Sequence, residues 1–212
     1  MRVSVLLALM PACLMGIPAS AAERPEAQIE TFSSVVVEVP VVQKTIMPEF
    51  AQANPAWSNV LFHEQRTLGA KGCAVFSAFI FARLSGYAGD PFSFTQSLRV
   101  FDSFDDRGRL RWDRVTIFAP LDPERLTDQG DAAFNAAKLE LQNGNYVALQ
   151  LRTPWTREHW VAAIDLAGDD IEIIDPAGGV RGLFQDKYEI EHIQGMTVFR
   201  KIPDPFWLAA AL

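Results

Sequence analysis

Three side chains capable of nucleophilic chemistry stand at the ends of predicted elements, in the chain order Cys, His, Asp. Cys73 opens an apolar segment, His159 opens a predicted strand, and Asp175 closes the next strand just before a proline. A cysteine attacks a carbonyl carbon as its thiolate, which a helix N-terminus and a neighbouring imidazolium both favour. A carboxylate on the other ring nitrogen would orient that imidazole. The order therefore predicts a nucleophile, a base and an orienting acid.

Each of these residues also has an ordinary structural explanation. A free cysteine is commonly a small buried hydrophobe, a histidine at a strand edge can simply be hydrogen-bonded, and an aspartate before a proline can start a turn. The joint arrangement favours chemistry, because the ends of two neighbouring strands can both face one helix N-terminus.

The elements that must position these side chains change type along the chain. Residues 73–84 are almost all apolar or small and end before Gly86, which predicts a buried helix of three turns. A short helix is expected between 90 and 111, and another over 128–142. Strands are predicted at 146–151, 159–166, 170–174 and 196–201. Helices followed by a mostly antiparallel sheet predict the α+β class, with the nucleophile helix packed on the sheet.

Composition and charge limit the possible classes of function. The 212 residues are 49% hydrophobic and 11% aromatic, which is enough apolar material for one globular domain with a sizeable core. The net charge of −7 disfavours nucleic acid as a partner, because a negative surface repels phosphate.

The first 22 residues resemble an export signal. Arg2 precedes an apolar run, and Ala19-Ser20-Ala21 supplies a small-x-small site for cleavage near Ala21 or Ala22. The expected location is the periplasm or the medium, with no membrane span after cleavage. Cleavage also removes Cys13, so the mature chain keeps Cys73 alone and forms no internal disulfide.

The remaining organisation is predicted as a leader over 23–45, one domain over 46–201 and an apolar tail over 202–212. The three histidines lack zinc-ligand spacing, and no metal or organic cofactor is indicated. The oligomeric state is left open.

Three short runs together resemble the C39-like cysteine peptidase family. They are LGAKGCAVFS at 68–77, EHWV at 158–161 and IIDPAGG at 173–179. The run QANPAW at 52–57 is similar to the opening motif of that family, with Asn54 in place of the more familiar Asp. The resemblance covers residues 46 to 201, and its motifs are moderately specific only in combination.

The resemblance implies a papain-like fold, half helical and half sheet. It implies Cys73 as nucleophile, His159 as general base and then acid, and Asp175 as the orienting residue. An upstream glutamine in this fold usually donates its amide to the oxyanion hole. Gln52 fits the opening motif and is favoured, while Gln65 lies nearer the nucleophile in sequence.

The expected function is that of an exported cysteine peptidase or amidase, which cleaves a peptide or isopeptide bond through an acyl-enzyme. Its partner is then a peptide or protein substrate. One alternative is a papain-like binding module without turnover, suggested by the bulky Phe76 in the nucleophile helix. Another is acyl transfer, because an amine can resolve a thioester as water does.

Overall fold

The computed structural model of the protein describes residues 43–202. The helices are α1 (Leu68–Lys71), α2 (Cys73–Leu84), α3 (Pro91–Val100) and α4 (Gly130–Gln142). The strands are β1 (Thr45–Ile46), β2 (Leu61–His63), β3 (Arg66–Thr67), β4 (Leu121–Leu126), β5 (Tyr146–Thr153), β6 (Thr156–Ala167), β7 (Asp170–Asp175), β8 (Val180–Leu183) and β9 (Ile193–Lys201). Short 3₁₀ turns occupy Pro48–Phe50, Trp112–Phe118 and Ile190–His192.

Seven strands form one sheet in the order β1-β8-β7-β6-β5-β9-β4, and every neighbouring pair is antiparallel. Strands β2 and β3 form a separate hairpin. The predicted α+β class is confirmed, with the helix that begins at Cys73 packed on this sheet.

The sheet contains more strands than the sequence pattern predicted. Strands β1, β4 and β8 were not expected, because β1 and β8 are short and β4 carries Pro123 among charged residues. Such strands lie at or near sheet edges, where alternation of apolar and polar residues is weak. The predicted start of the second strand at His159 is wrong, since β6 begins at Thr156 and His159 lies within it.

The central strands are buried on both faces, and alternate residues pack against different helices. On β6, Trp160 and Ala162 join the core formed with α2 and α3, whereas Val161 and Ala163 join the core formed with α4. Two cores on opposite faces explain why β5 and β6 are rich in apolar residues with no polar side. The sheet is therefore the middle layer of three.

Helix α2 is buried as predicted, with eight of its twelve side chains out of contact with solvent. Phe81 packs on Tyr146 and Phe199 of the sheet, which presses the helix against the central strands. The helix ends at Leu84 with Ser85 as its C-cap, and Gly86 follows in the positive-φ conformation that suits a helix C-terminus.

The N-terminal part of the described chain is tied to the turn after β7. The Met47 N–H donates to Gly179 O at 2.7 Å, and the Gln52 N–H donates to Pro176 O at 2.8 Å. Gly179 has φ of +62°, and a side chain there would collide with Met47 O. The close approach therefore requires glycine.

Several predictions fall on other parts of the chain. The signal peptide, the leader up to residue 42 and the tail after Ile202 lie outside the described residues. Within 43–202, no helix combines the length and apolar character that crossing a bilayer requires.

Candidate active site

Cys73 is the first residue of α2, as the apolar pattern predicted. The chain reaches it through Gly72, where an added Cβ would lie 2.3 Å from Leu68 O, so the tight junction between α1 and α2 requires glycine. The backbone N–H groups of the first helical turn have no intrahelical acceptors and carry partial positive charge. The half-buried Cys73 thiol is thus held where an anion is favoured.

His159 and Asp175 meet on neighbouring strands. The His159 Nε2–H donates to Asp175 Oδ1 at 2.8 Å, and both side chains are buried. Because Nε2 is engaged by the carboxylate, the other ring nitrogen, Nδ1, is left to interact with the Cys73 thiol. Cys73 lines the same cleft as His159 and acts on the pKa of its imidazole, so the structure places the three residues that the sequence singled out in one group.

The Asp175 carboxylate accepts four hydrogen bonds although it is fully buried. Oδ1 accepts from His159 and from the Ala177 N–H at 2.9 Å. Oδ2 accepts from Tyr188 Oη at 2.6 Å and from Lys187 Nζ. The donors offset the cost of burying an anion.

Lys187 and Tyr188 were not identified from the sequence. They lie in the connection between β8 and the 3₁₀ turn at Ile190–His192, and no motif or periodic pattern marks them. Only their contacts with Asp175 reveal their connection to the site. Tyr188 also packs near the His159 ring, with centroids 6.2 Å apart.

The electrostatic balance favours a charged imidazole. Burial alone lowers the pKa of His159, but interactions with Asp175 and then with Cys73 outweigh it and raise that pKa to about 9. Burial acts to raise the pKa of Asp175, yet hydrogen bonds from His159, Lys187 and Tyr188 hold it well below its usual range. At neutral pH the pair is thus imidazolium and carboxylate.

The two candidate glutamines have different surroundings, although both line the same cleft as Cys73. Gln52 is partly buried, and its Nε2 donates one N–H to Gly69 O at 3.0 Å. Its backbone is tied to the turn after Asp175, whereas its Oε1 is buried without a hydrogen-bond partner among the described residues. Gln65 lies exposed between the two strands of the β2–β3 hairpin.

Phe76 does not obstruct the nucleophile. It is buried on the core side of α2 against Trp57 and Phe79, and it is not among the residues that line the cleft. The bulk of Phe76 therefore gives no reason to suspect an inactive site.

The other two histidines lie apart from this group. His192 accepts a hydrogen bond from the Glu189 N–H at a 3₁₀ turn, and the His63 Nδ1 is enclosed beside Gly108. Within residues 43–202, no group of three His, Cys, Asp or Glu side chains is placed to hold a metal ion.

Cys73 and His159 open onto a cleft of about 1350 Å³. Its lining includes residues of the β2–β3 hairpin, of the start of α2 and of strands β4, β5 and β6. The volume exceeds the range of about 300–1,000 Å³ that is usual for small-molecule pockets, and it suits an extended substrate.

No family model and no curated protein sequence matches this chain. Solved structures similar to it include a candidate C39-like peptidase from Bacillus anthracis, with TM-score 0.43 and 12% identity, over 77% of this chain and 100% of that one. The Pseudomonas avirulence protein AvrPphB is also similar, with TM-score 0.37 and 16% identity, over 61% of this chain and 90% of the other.

Proposed function

We propose that this chain is an exported, papain-like cysteine hydrolase that cleaves the amide bond of a peptide or isopeptide substrate through an acyl-enzyme. The observation that carries the proposal is the placement of Cys73 at a helix N-terminus beside an imidazole that a buried aspartate holds. Export is inferred from the N-terminal sequence, and it leads to the periplasm or the medium.

In the first half-reaction, the Cys73 thiolate attacks the scissile carbonyl carbon, and the carbonyl oxygen becomes an oxyanion. The tetrahedral intermediate then collapses as the carbon–nitrogen bond breaks. The His159 Nδ1–H gives its proton to the departing amine, which leaves a neutral imidazole and a thioester on Cys73.

In the second half-reaction, neutral His159 takes a proton from a water molecule that attacks the thioester. The carbon–sulfur bond breaks, the carboxylic acid product leaves, and the thiolate and imidazolium are restored. Asp175 keeps the ring oriented in both steps and stabilises its charged form, without itself taking up a proton.

Two N–H donors are available for the oxyanion. One is the Cys73 backbone N–H, which lacks an intrahelical acceptor at the first helical position. The other is the second N–H of the Gln52 amide, because an amide nitrogen carries two and Gly69 O accepts only one. Gln52 is therefore preferred to the exposed Gln65.

The test compares the mature wild-type chain with Cys73→Ser and Cys73→Ala on a panel of fluorogenic peptides and one lysine isopeptide. We expect hydrolysis by wild type only, and a thioester adduct on Cys73 when the reaction is quenched in acid and analysed by mass spectrometry. Circular dichroism checks that both variants fold. Equal product formation by wild type and Cys73→Ala would falsify the mechanism, and products extended by an added amine would indicate acyl transfer instead.

A further inference from the structure

The cleft has a charge opposite to that of the whole chain. Seven of the 19 lysine and arginine residues line it, but only three of the 26 acidic residues do. A positively charged cleft in a negatively charged molecule concentrates the electric field and draws anionic ligands into it. The excess of cations is therefore a property of the site and not of the overall composition.

Some of these cations already have partners. Arg109 pairs with Asp105 at 2.8 Å, Arg111 pairs with Asp102 at 3.0 Å, and Lys187 is bound to Asp175. Because these charges are compensated within the protein, they are not the ones available to a ligand.

Three exposed cations in the cleft form no ion pair with a carboxylate of residues 43–202. They are Arg66, Lys71 and Arg157. Arg66 lies in β3 and Lys71 ends α1, two residues before Cys73, whereas Arg157 lies in β6, two residues before His159. Positive charge without an ion pair among the described residues therefore lies in the same cleft as Cys73 and His159.

A fourth cation, Arg125, is held rigidly in the same cleft. The guanidinium carbon of Arg125 lies 4.8 Å from the centroid of the Trp160 ring, and the guanidinium group donates a hydrogen bond to Gln150 Oε1. Glu158 acts on it through charge, but no carboxylate of the described residues forms an ion pair with it. A guanidinium that is already positioned loses little side-chain entropy when it binds an anion.

We propose that the cleft selects anionic peptides, with aspartate or glutamate side chains near the scissile bond, through Arg66, Arg157 and Arg125. This inference rests on the proposed function for the position of the bond that is cut. The binding preference itself follows from the charges alone, so it can be measured without turnover.

Binding is measured with the Cys73→Ala chain by fluorescence anisotropy. The probes are two labelled peptides of equal length, one with four glutamates and one with glutamines at the same positions. We expect the glutamate peptide to bind at least tenfold more tightly at 20 mM salt, and the ratio to shrink at 500 mM salt because exposed charges are screened. Equal binding, or no detectable binding of the glutamate peptide, overturns the proposal. Tighter binding of a single-stranded oligonucleotide than of the glutamate peptide also overturns it.

Charge-neutralising variants locate the effect. We expect Arg66→Gln and Arg157→Gln each to reduce the preference for glutamate several-fold, and the double variant to remove most of it. Arg152→Gln is the matched control, because Arg152 is exposed on the same β5–β6 hairpin, outside the cleft and without an ion pair to the described residues. An equal loss in Arg152→Gln would show a general charge effect and overturn the assignment to the cleft.

Kinetics separate this inference from the proposed function. If wild type cleaves the glutamate and glutamine peptides with equal kcat/KM, the hydrolase remains and the anionic preference is wrong. If the glutamate peptide binds preferentially but no peptide is cleaved, the preference stands and the proposed chemistry is wrong.

Discussion

His159 Nε2 lies 2.8 Å from Asp175 Oδ1, at a position that follows from strand register. Strands β6 and β7 pair Ala162 with Ile174, and continuing this antiparallel register places His159 opposite residue 177. Residue 177 lies two positions beyond Asp175, so His159 and Asp175 are diagonal neighbours on one face of the sheet. Diagonal neighbours are within reach of long side chains. The contact therefore depends on a register that a shift of one residue would destroy.

The first prediction concerns the reactivity of the Cys73 thiol. An imidazolium beside the sulfur favours the reactive thiolate, so we expect His159→Gln to slow alkylation by iodoacetamide at pH 6 at least tenfold. The rate is measured by mass spectrometry of the peptide that contains Cys73. His192→Gln is the matched control and should react like wild type. Equal rates in wild type and His159→Gln would exclude an activated pair.

The second prediction distinguishes the two glutamines. We expect Gln52→Ala to lower kcat on the order of a hundredfold with little change in KM, because an oxyanion donor acts mainly in the transition state. Gln65→Ala should change kcat less than about twofold, since its side chain is exposed. The thermal unfolding of Gln52→Ala, compared with that of wild type, shows whether loss of the hydrogen bond to Gly69 O lowers the stability of the variant. The reverse ranking would assign the oxyanion hole to Gln65.

The third prediction is a loss of stability at alkaline pH. The pKa of His159 is raised from 6.5 to about 9 in the folded chain, so its contribution is fully present below pH 6.5 and is lost as the pH rises through 9. The contribution is on the order of 3 kcal/mol in the free energy of unfolding. Urea denaturation between pH 6 and 10 measures it. The free energy of unfolding should fall less steeply with pH in His159→Gln than in wild type. An equally steep fall in both would assign the loss of stability to other groups.

The fourth prediction concerns Lys187 and Tyr188 as positioning residues. Tyr188→Phe removes a hydrogen-bond donor to Asp175 Oδ2 and Lys187→Gln removes a positive charge beside it, so the pKa of Asp175 should rise. We expect the acid limb of the pH profile of kcat/KM to move to higher pH in both variants. The loss of kcat/KM should be smaller at pH 7 than at acidic pH.

A matched control for Tyr188→Phe is Tyr146→Phe. Tyr146 is also buried, but its hydroxyl makes no hydrogen bond to the described residues and it lies outside the cleft. Tyr146→Phe should leave the pH profile unchanged. If Tyr188→Phe lowered stability without moving the acid limb, its role would be purely structural.

Much of the local structure could be predicted from the sequence. The apolar run after Gly72 predicted a buried helix, and the structure begins α2 at Cys73 and ends it at Leu84. The turn signals after Asp175 predicted the end of a strand, and β7 ends there. These features depend on periodicity, on glycine and proline and on element length, which act over a few residues.

Edge strands and side-chain partners could not be predicted in the same way. Strand β8 is short and β4 contains a proline, so their pairing depends on the sheet they join. Lys187 and Tyr188 carry no local signal, and they join the site because the segment after β8 crosses beside Asp175.

The sequence by itself determined which residue types were available for chemistry and where in their elements Cys73 and Asp175 would stand. Only the tertiary structure decided that His159 reaches Asp175, that Gln52 is partly buried and bonded to Gly69 O while Gln65 is exposed, and that cations without an ion pair among residues 43–202 line one cleft. The physical reason is that local preference depends on neighbours in the chain. Convergence in space depends on strand register and on packing between residues that are far apart in sequence.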